Sequence, residues 1–294
     1  MSRLREIRDR ISSIQDTMKI TNAMYLISST KMRKARKSLE MTEPYFDALQ
    51  LHIERILRHL PEDFTHPFLE VRNQEEGVNP RRAIIVITGD KGLAGAYNRN
   101  VLKMAQEMNP DSNDRLFVVG QMGRRYFEHR NMHVDEQFQF TAQNPTLHRA
   151  RQISRRMLEL YTAKEIDEVY ILYTRMVNRM VMEPCMQQLL PLSGLNSNMI
   201  PGGVEGLLLE DFHWDPTPED VISNVIPGYI AGFIYGALVE SFCSEHNSRM
   251  MAMDAAGRNG AELTGKLRTV YNRERQAKIT QEITEISAGA KMHS

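Results

Sequence analysis

The stretch RLREIRDRISSIQDTM, residues 3–18, decides the fold of this chain. Its large apolar residues recur at alternating intervals of three and four, which is the spacing of the a and d positions of a coiled coil. A helix with this pattern buries its apolar seam against a second helix. The seam consists of Leu4, Ile7, Ile11, Ile14 and Met18.

The other end of the chain supplies the partner helix. No proline follows Pro227, and a helical pattern continues to about Ala288. A helix of about 60 residues is about 90 Å long, which is more than a small domain can cover. We therefore expect an antiparallel two-helix coiled coil made from the N- and C-terminal segments.

The middle of the chain has a different character. Short β-branched runs, RRAIIVITGD, LFVVGQMG and EVYILYTRMV, alternate with helix-like segments, and MEPCMQQLLPL suits an edge strand. This alternation predicts a Rossmann-like α/β domain inserted between the long helices. The expected limits are an N-terminal coiled-coil helix at 1–60, a linker at 61–80, the central α/β domain at 81–200, a linker at 201–220 and a C-terminal coiled-coil helix at 221–294.

Composition excludes several classes of protein. The 37 basic and 37 acidic residues cancel, so no overall field attracts nucleic acid or anionic lipid. The two cysteines lie far apart, which disfavours a disulfide framework. The uncharged run 221–239 is long enough for a membrane span, but it contains Ser223, Asn224, Pro227 and three glycines. We expect a packed helix there and no transmembrane segment.

Three motifs could carry chemistry. The loop ITGDKGLAGAYNRN, residues 87–100, places glycines between a strand and a helix, as phosphate-binding loops do. It has neither the GxGxxG nor the GxxxxGK[ST] spacing, so a structural turn is the better interpretation. His129 and His133 have the i, i+4 spacing of metal ligands without an obvious third ligand. We predict no catalytic residue, no cofactor and no metal.

The third motif is the basic run KMRKARK, residues 31–37. It could contact phosphates, or it could face an acidic protein surface. No aromatic residues are interleaved to stack on bases, so we predict no nucleic-acid partner.

Several stretches together resemble the γ subunit of F-type ATP synthases. RDRISSIQDTMKITNAM with KMRKARKSLE is similar to the first helix of that family, and residues 87–100 are similar to its central loop. The stretch from IYGALVESF to ITQEITEI resembles its C-terminal helix almost end to end. The resemblance implies a central rotor shaft that couples ion-driven rotation of the membrane rotor to ATP synthesis or hydrolysis at the catalytic β subunits. The alternatives are a nucleotide-binding α/β enzyme with helical arms and an unrelated coiled-coil adaptor.

The resemblance also implies partners and contact residues. The shaft would be a non-catalytic subunit inside a ring of α and β subunits, and its central domain would dock with the ε subunit and the c-ring. It would lie peripherally on the cytoplasmic face of a bacterial cell membrane. The implied contacts are Arg275, Gln276 and Thr280 with the catch loop of β; Met24, Arg249, Lys31, Arg33 and Lys34 near the acidic lever of β; and Ile279, Ile283 and Ile286 as bearing surface.

Two departures from the family pattern concern the long helices. AGRNG places the positive Arg258 where the family usually has an acid. LISSTK places the hydroxyls of Ser28 and Ser29 where methyl groups are usual. A polar contact that the family makes through the acid at position 258 is therefore not expected here.

Overall fold

The structure is a computed structural model that describes residues 3–61, 63–72, 79–108, 113–138, 141–178, 180–192 and 214–292. Its contacts group the chain into two compact units. Unit 1 holds the residues up to Thr30 and those from Arg249, and unit 2 is Lys31–Ser248. The elements are α1 (Arg3–Arg58), β1 (Arg82–Ile87), α2 (Tyr97–Glu107), β2 (Arg115–Val119), α3 (Gln121–Glu128), β3 (Val134–Phe138), α4 (Leu147–Thr162), β4 (Glu168–Met176), β5 (Met182–Leu190) and α5 (Pro218–Met292).

Each of the two terminal segments forms one continuous helix. α1 is a single helix of 56 residues with Pro44 inside it. α5 has 75 residues and passes through Pro227, and it is therefore about 110 Å long. Proline removes one backbone hydrogen bond from a helix, and the remaining bonds of both helices are numerous enough to carry the chain past it.

The start of α5 follows ordinary capping chemistry. The hydroxyl of Thr217 accepts a hydrogen bond from the backbone N–H of Asp220 at 3.2 Å and donates to the Asp220 carboxylate at 2.7 Å. Pro218 occupies the first helical position, where its missing N–H costs nothing. α5 therefore begins at Pro218, three residues before the expected limit of 221.

The sheet of unit 2 has the strand order β3-β2-β1-β4-β5. All neighbouring strands are parallel except β5, which runs antiparallel to β4 at the edge. The three expected strands and the edge strand are confirmed as β1, β2, β4 and β5. We did not predict β3, because its sequence VDEQF is polar, or the short α3. The first four strands have the order of a Rossmann-like half.

Helices cover both faces of this sheet. On one face, Ile84 and Val86 of β1 pack with residues of α2 and α3. On the other face, Ile85 and Ile87 pack with α4, the last turns of α1 and the first half of α5. The near-continuous apolar sequence of β1 follows from burial on both sides.

Within unit 2, α1 and α5 run antiparallel in close contact. The rings of Phe46 and Tyr235 have centroids 5.9 Å apart, and the Ser38 and Tyr235 hydroxyl oxygens are 3.2 Å apart. A Cβ at Gly232 would overlap the Phe46 ring, whereas a Cβ at Gly236 would meet no atom within 4 Å. The absence of a side chain at Gly232 therefore permits α1 to approach α5 closely at this position.

Candidate functional site

In unit 1, the first part of α1 pairs antiparallel with the second part of α5. Arg3 Nη1 lies 3.2 Å from Glu274 Oε1. Fifteen residues further along α1, Met18 lies beside Gly260, where an added Cβ would be 2.8 Å from the Met18 Cγ. Residue numbers that rise along α1 therefore meet numbers that fall along α5, which confirms the antiparallel two-helix coiled coil.

The buried seam of α1 continues past Met18. Thr21 and Ser28 are only 9% and 2% exposed, and both fall on the 3, 4 spacing that begins at Leu4. The Thr21 hydroxyl donates to the Met18 carbonyl oxygen at 3.0 Å, which satisfies a polar group inside the seam. After Met18 the seam thus takes polar residues, while the period of the coiled coil is kept.

The last part of α5 extends beyond its pairing with α1. Glu274 is paired with Arg3, and every described side chain from Arg275 to Ala288 is exposed. We call residues 275–288 the α5 tip. The predicted contact residues Arg275, Gln276 and Thr280 all lie on it, as do the three isoleucines.

Thr280 has a defined hydrogen-bonding state. Its hydroxyl donates to the Gln276 carbonyl oxygen at 2.9 Å, within the helix. With its proton used in this way, the oxygen of Thr280 can act toward another molecule only as an acceptor. Arg275 offers donors only, and the Gln276 amide offers both kinds of group.

The three isoleucines of the tip form an apolar stripe. Ile279, Ile283 and Ile286 are 46%, 61% and 73% exposed. At 3.6 residues per turn they lie within about 60° of one another around the helix. Three adjacent, exposed, β-branched residues on an otherwise polar segment indicate a surface that another protein covers.

Two predicted contact residues of unit 1 differ in exposure. Met24 is half-buried, whereas Arg249 is only 6% exposed. Arg249 is therefore a buried cation that takes part in contacts within the protein. Proximity of these two residues to a partner's acidic lever stays a prediction.

In unit 2, the predicted basic collar is a solvated face of α1. Lys31, Arg33 and Lys34 are all exposed. The next arginine, Arg36, places its Nε 3.2 Å from Glu40 Oε1. This face can attract an acidic protein surface, and that contact also stays a prediction.

Arg258, the charge that departs from the family pattern, is engaged within its own helix. Its Nη2 lies 3.1 Å from Asp254 Oδ2, and both side chains are largely exposed. Such an i, i+4 pair is worth a few tenths of a kcal/mol, about 0.3–0.5, and neutralises the local charge.

The glycine-rich loop after β1 uses its backbone amides internally. The N–H of Gly89 donates to Asn98 Oδ1 at 2.9 Å, and the N–H of Gln121 donates to Asp90 Oδ1 at 3.0 Å. Gln121 is the first residue of α3, so a carboxylate of the chain already occupies that helix N-terminus. The carboxylate of Glu245 packs against Gly89, where a Cβ would lie 2.8 Å from Glu245 Cδ. Two fixed anions beside the loop disfavour a phosphate ligand.

The histidine pair does not form one helical face. His129 caps the C-terminal end of α3, whereas His133 lies directly before β3. Among the described residues, no group of three or more His, Cys, Asp or Glu side chains is arranged to hold a metal ion.

One helix needs comparison with a membrane span. Within the described residues, α5 contains an 18-residue window with a mean hydropathy of 1.5, long and apolar enough to cross a bilayer. More than half of that window, 56%, is buried inside the protein. Core helices pass the same test, and the first half of α5 packs against the sheet.

Sequence reasoning did not single out three polar residues of α5 that contact the sheet. Glu240, Ser241 and Ser244 form hydrogen bonds to the backbone of β4. The signal was present in ESFCSEHNS, where small polar residues recur at helical spacing next to a long apolar run.

Comparisons with known proteins agree over nearly the whole chain. A family model described as ATP synthase matches residues 3–292. The ATP synthase gamma chain of Ruminiclostridium cellulolyticum is 43% identical over 291 residues, covering 98% of this chain and 97% of the relative. A gamma chain of Acetobacterium woodii named sodium ion specific is 36% identical over 302 residues, covering 98% of this chain and 97% of the relative.

A solved structure shares the fold. A chain in the cryo-EM structure of Euglena gracilis mitochondrial ATP synthase, OSCP/F1/c-ring, has a TM-score of 0.66 at 18% identity and covers 98% of this chain and 93% of its own length. The α/β sheet and the antiparallel terminal helices, together with the full-length sequence matches, show that this chain belongs to the ATP synthase gamma chain family.

Proposed function

We propose that this chain is the central rotor shaft of an F-type ATP synthase. It couples ion-driven rotation of the membrane rotor to ATP synthesis at the catalytic β subunits, and it runs in reverse during ATP hydrolysis. The observation that carries the proposal is the α5 tip, which is exposed along its whole described length and bears three isoleucines on one face. A helix end of this kind requires a surrounding protein surface, which a ring of α and β subunits provides.

The mechanism follows from the asymmetry of the shaft. Three equivalent β subunits around one chain each meet a different face of the coiled coil. Each face stabilises a different conformation of the site that it touches, and turning the shaft exchanges those conformations. Because binding free energies are reciprocal, nucleotide state biases the shaft angle as strongly as the angle biases nucleotide affinity.

The α5 tip supplies polar contacts to the catch loop of β. Arg275 donates to carboxylate or carbonyl groups, the Gln276 amide pairs in either sense, and the Thr280 oxygen accepts from a backbone N–H. These three groups give a loop a definite orientation on the tip, and the apolar stripe beside them permits rotation because apolar contacts are non-directional.

The contacts with the acidic lever of β combine two chemistries. Met24 offers a flexible apolar surface that tolerates sliding. Lys31, Arg33 and Lys34 attract carboxylates from solvent-exposed positions, with an effect that salt screens. Arg249 belongs to this proposed contact by its resemblance to the family, and its side chain is 6% exposed in the free chain.

The chain itself performs no bond chemistry in this proposal. It is a non-catalytic subunit that lies peripherally on the cytoplasmic face of the bacterial membrane, with its central α/β domain (81–200) docked to the ε subunit and the c-ring. The enzyme alternative is disfavoured because Asn98 already accepts from the Gly89 amide of the loop, and the Asp90 carboxylate accepts from the N-terminal amide of α3.

Reconstitution tests the proposal. The chain is combined with the α and β subunits of the same organism, any complex is isolated, and ATP hydrolysis is compared with that of the αβ mixture alone. We expect one copy per three αβ pairs and sustained hydrolysis that the mixture lacks. If all three chains fold but neither complex nor hydrolysis results, the shaft proposal fails.

A paired substitution tests the catch-loop contact separately. Arg275→Ala combined with Gln276→Ala should leave the isolated chain folded, because both side chains are exposed, and should lower coupled turnover of the complex. Arg273→Ala is the matched control, since it removes an exposed positive charge two residues earlier on the same helix. Equal turnover in the double variant and the control would remove the contact assignment while leaving the family membership intact.

A further inference from the structure

β4 is longer than the strand beside it. The pairing of β1 with β4 extends to Val86 opposite Leu172, whereas β4 continues to Met176. On its other side, β4 pairs with β5 along its length, with Thr174 opposite Pro184. Thr174 lies two residues beyond the last β4 residue that pairs with β1, so its backbone groups can take partners from a helix there.

Two buried serines of α5 provide those partners. The N–H of Thr174 donates to Ser241 Oγ at 3.1 Å, and Ser244 Oγ donates to the Thr174 carbonyl oxygen at 3.2 Å. Ser241 and Ser244 are 1% and 0% exposed, and Thr174 is 3% exposed. The two hydroxyls thus form hydrogen bonds with both the N–H and the C=O of Thr174, as the backbone of a neighbouring strand would.

The same side of α5 makes three further hydrogen bonds to the sheet. The N–H of Met176 donates to Glu240 Oε1 at 3.2 Å. The Met182 sulfur, at the start of β5, accepts from Asn247 Nδ2 at 3.4 Å and from Ser248 Oγ at 3.1 Å. These five residues lie on one side of α5 over about two turns. We call them the polar stripe: Glu240, Ser241, Ser244, Asn247 and Ser248.

The polar stripe changes what the helix–sheet contact resists. Apolar packing is non-directional, so a helix held by it alone can turn or slide by small amounts at little cost. Hydrogen bonds require donor–acceptor distances near 3 Å and near-linear geometry, so each opposes displacement in its own direction. Bonds that point at the N–H and the C=O of one strand residue oppose both rotation about the helix axis and translation along it.

We propose that the polar stripe is the clamp that fixes α5 to the α/β sheet, with Ser241 and Ser244 as its positioning residues, so that torque passes from the sheet into the shaft helix. This inference rests on the proposed shaft function. α5 belongs to both compact units, and its clamped section, Glu240 to Ser248, ends at the limit of unit 2. A rotor that docks on the α/β domain can turn the helix only as stiffly as this attachment allows.

The test measures stiffness in the assembled complex. The αβ ring is anchored, a reporter particle is attached to the β4–β5 turn, and the angular fluctuations of the particle are recorded at a fixed nucleotide state. Ser241→Ala combined with Ser244→Ala should raise the angular variance above that of the parent complex and lower the number of ions pumped per ATP. Amide exchange at Thr174 should become roughly five- to tenfold faster, which corresponds to losing a bond worth about 1 kcal/mol.

Cys243→Ala is the matched control. Cys243 lies between the two serines, is 3% exposed, and loses one heavy atom on substitution, as they do. Its sulfur lies 3.9 Å from the carbonyl oxygen of Met32 on α1, and burial raises the pKa of the thiol to about 11, so the substitution changes no charge at pH 7. If the serines had a merely structural role, the double serine variant and Cys243→Ala would show equal angular variance at equal loss of thermal stability.

The outcomes separate the two proposals. If the parent complex does not rotate with ATP, the shaft function fails. If the parent rotates and the double serine variant has the same variance as Cys243→Ala, the clamp fails and the shaft function stands. If the double variant does not assemble, Glu240→Ala is compared with Glu240→Gln, which keeps an acceptor oxygen for the Met176 N–H, and equal variance in that pair overturns the clamp.

Discussion

The apolar stripe of the α5 tip leads to a quantitative prediction. Replacing Ile279, Ile283 and Ile286 together by alanine removes three carbons from each side chain. These side chains are 46%, 61% and 73% exposed, so on average about 60% of each is still available to be covered by a partner. At about 0.8 kcal/mol per buried carbon, the ring would lose roughly 1.4 kcal/mol per residue and about 4 kcal/mol in total.

This loss should appear only in the complex. Four kcal/mol corresponds to roughly a thousandfold weaker binding to the αβ ring, an upper bound because it assumes that the ring covers the whole stripe. In the isolated chain, alanine has a higher helix propensity than isoleucine, by a few tenths of a kcal/mol each, so helix content should be unchanged or slightly higher.

The assay is a titration of the labelled chain with αβ ring, followed by fluorescence anisotropy, beside circular dichroism of the free chain. Val177→Ala with Met180→Ala is the control, because these residues are 51% and 77% exposed on the β4–β5 connection of unit 2. A triple variant that binds the ring as tightly as this control would refute the assignment of the stripe as bearing surface.

Three further predictions concern the stability of unit 2, measured by urea unfolding. Gly236→Ala should stabilise by about 1 kcal/mol because its Cβ meets no atom within 4 Å, whereas Gly232→Ala, four residues earlier on the same face, should destabilise because its Cβ would overlap an aromatic ring of α1; a gain in both would contradict the packing. Burial lowers the pKa of His66 below its ordinary 6.5, so the unfolded chain binds this proton more readily, and stability should fall as the pH drops below 6.5; His66→Gln should flatten that dependence, and an unchanged slope would count against it. Asp167→Ala should lower the free energy of unfolding by about 2–3 kcal/mol, because the buried carboxylate accepts from the backbone N–H, Nε and Nη2 of Arg81. The Arg81 side chain is 43% exposed and stays hydrated, which limits the loss. Asp167→Asn should lower the free energy of unfolding by less.

Periodicity predicted the long helices well because spacing survives changes of residue type. The 3, 4 interval from Leu4 to Met18 predicted which face of α1 contacts the other helix. The absence of proline after Pro227 indicated the length of α5. The seam beyond Met18 escaped notice because Thr21 and Ser28 are polar, although both are buried. Burial at those positions depends on the partner helix, and the sequence of one helix does not display it.

The candidate site was predictable only in part, for a similar reason. Resemblance located Arg275, Gln276 and Thr280, and the structure places them on an exposed helix end, where a contact with another chain is possible. Arg249 is buried in the structure, whereas the sequence alone does not distinguish it from an exposed arginine. The hydrogen bonds of Ser241 and Ser244 to β4 depend on β4 extending past the end of its pairing with β1. Neither segment alone shows where that pairing ends.

The antiparallel pairing in unit 1 has a consequence for synthesis of the chain. Arg3 meets Glu274, so the apolar seam of α1 acquires its partner only when almost the entire chain has been translated. At about 5–20 residues per second, that interval lasts roughly 10–50 s. During it, Leu4, Ile7 and Ile11 form an uncovered hydrophobic strip on a nascent polypeptide. Production of this protein should therefore depend on a chaperone that shields the first helix until the last one leaves the ribosome.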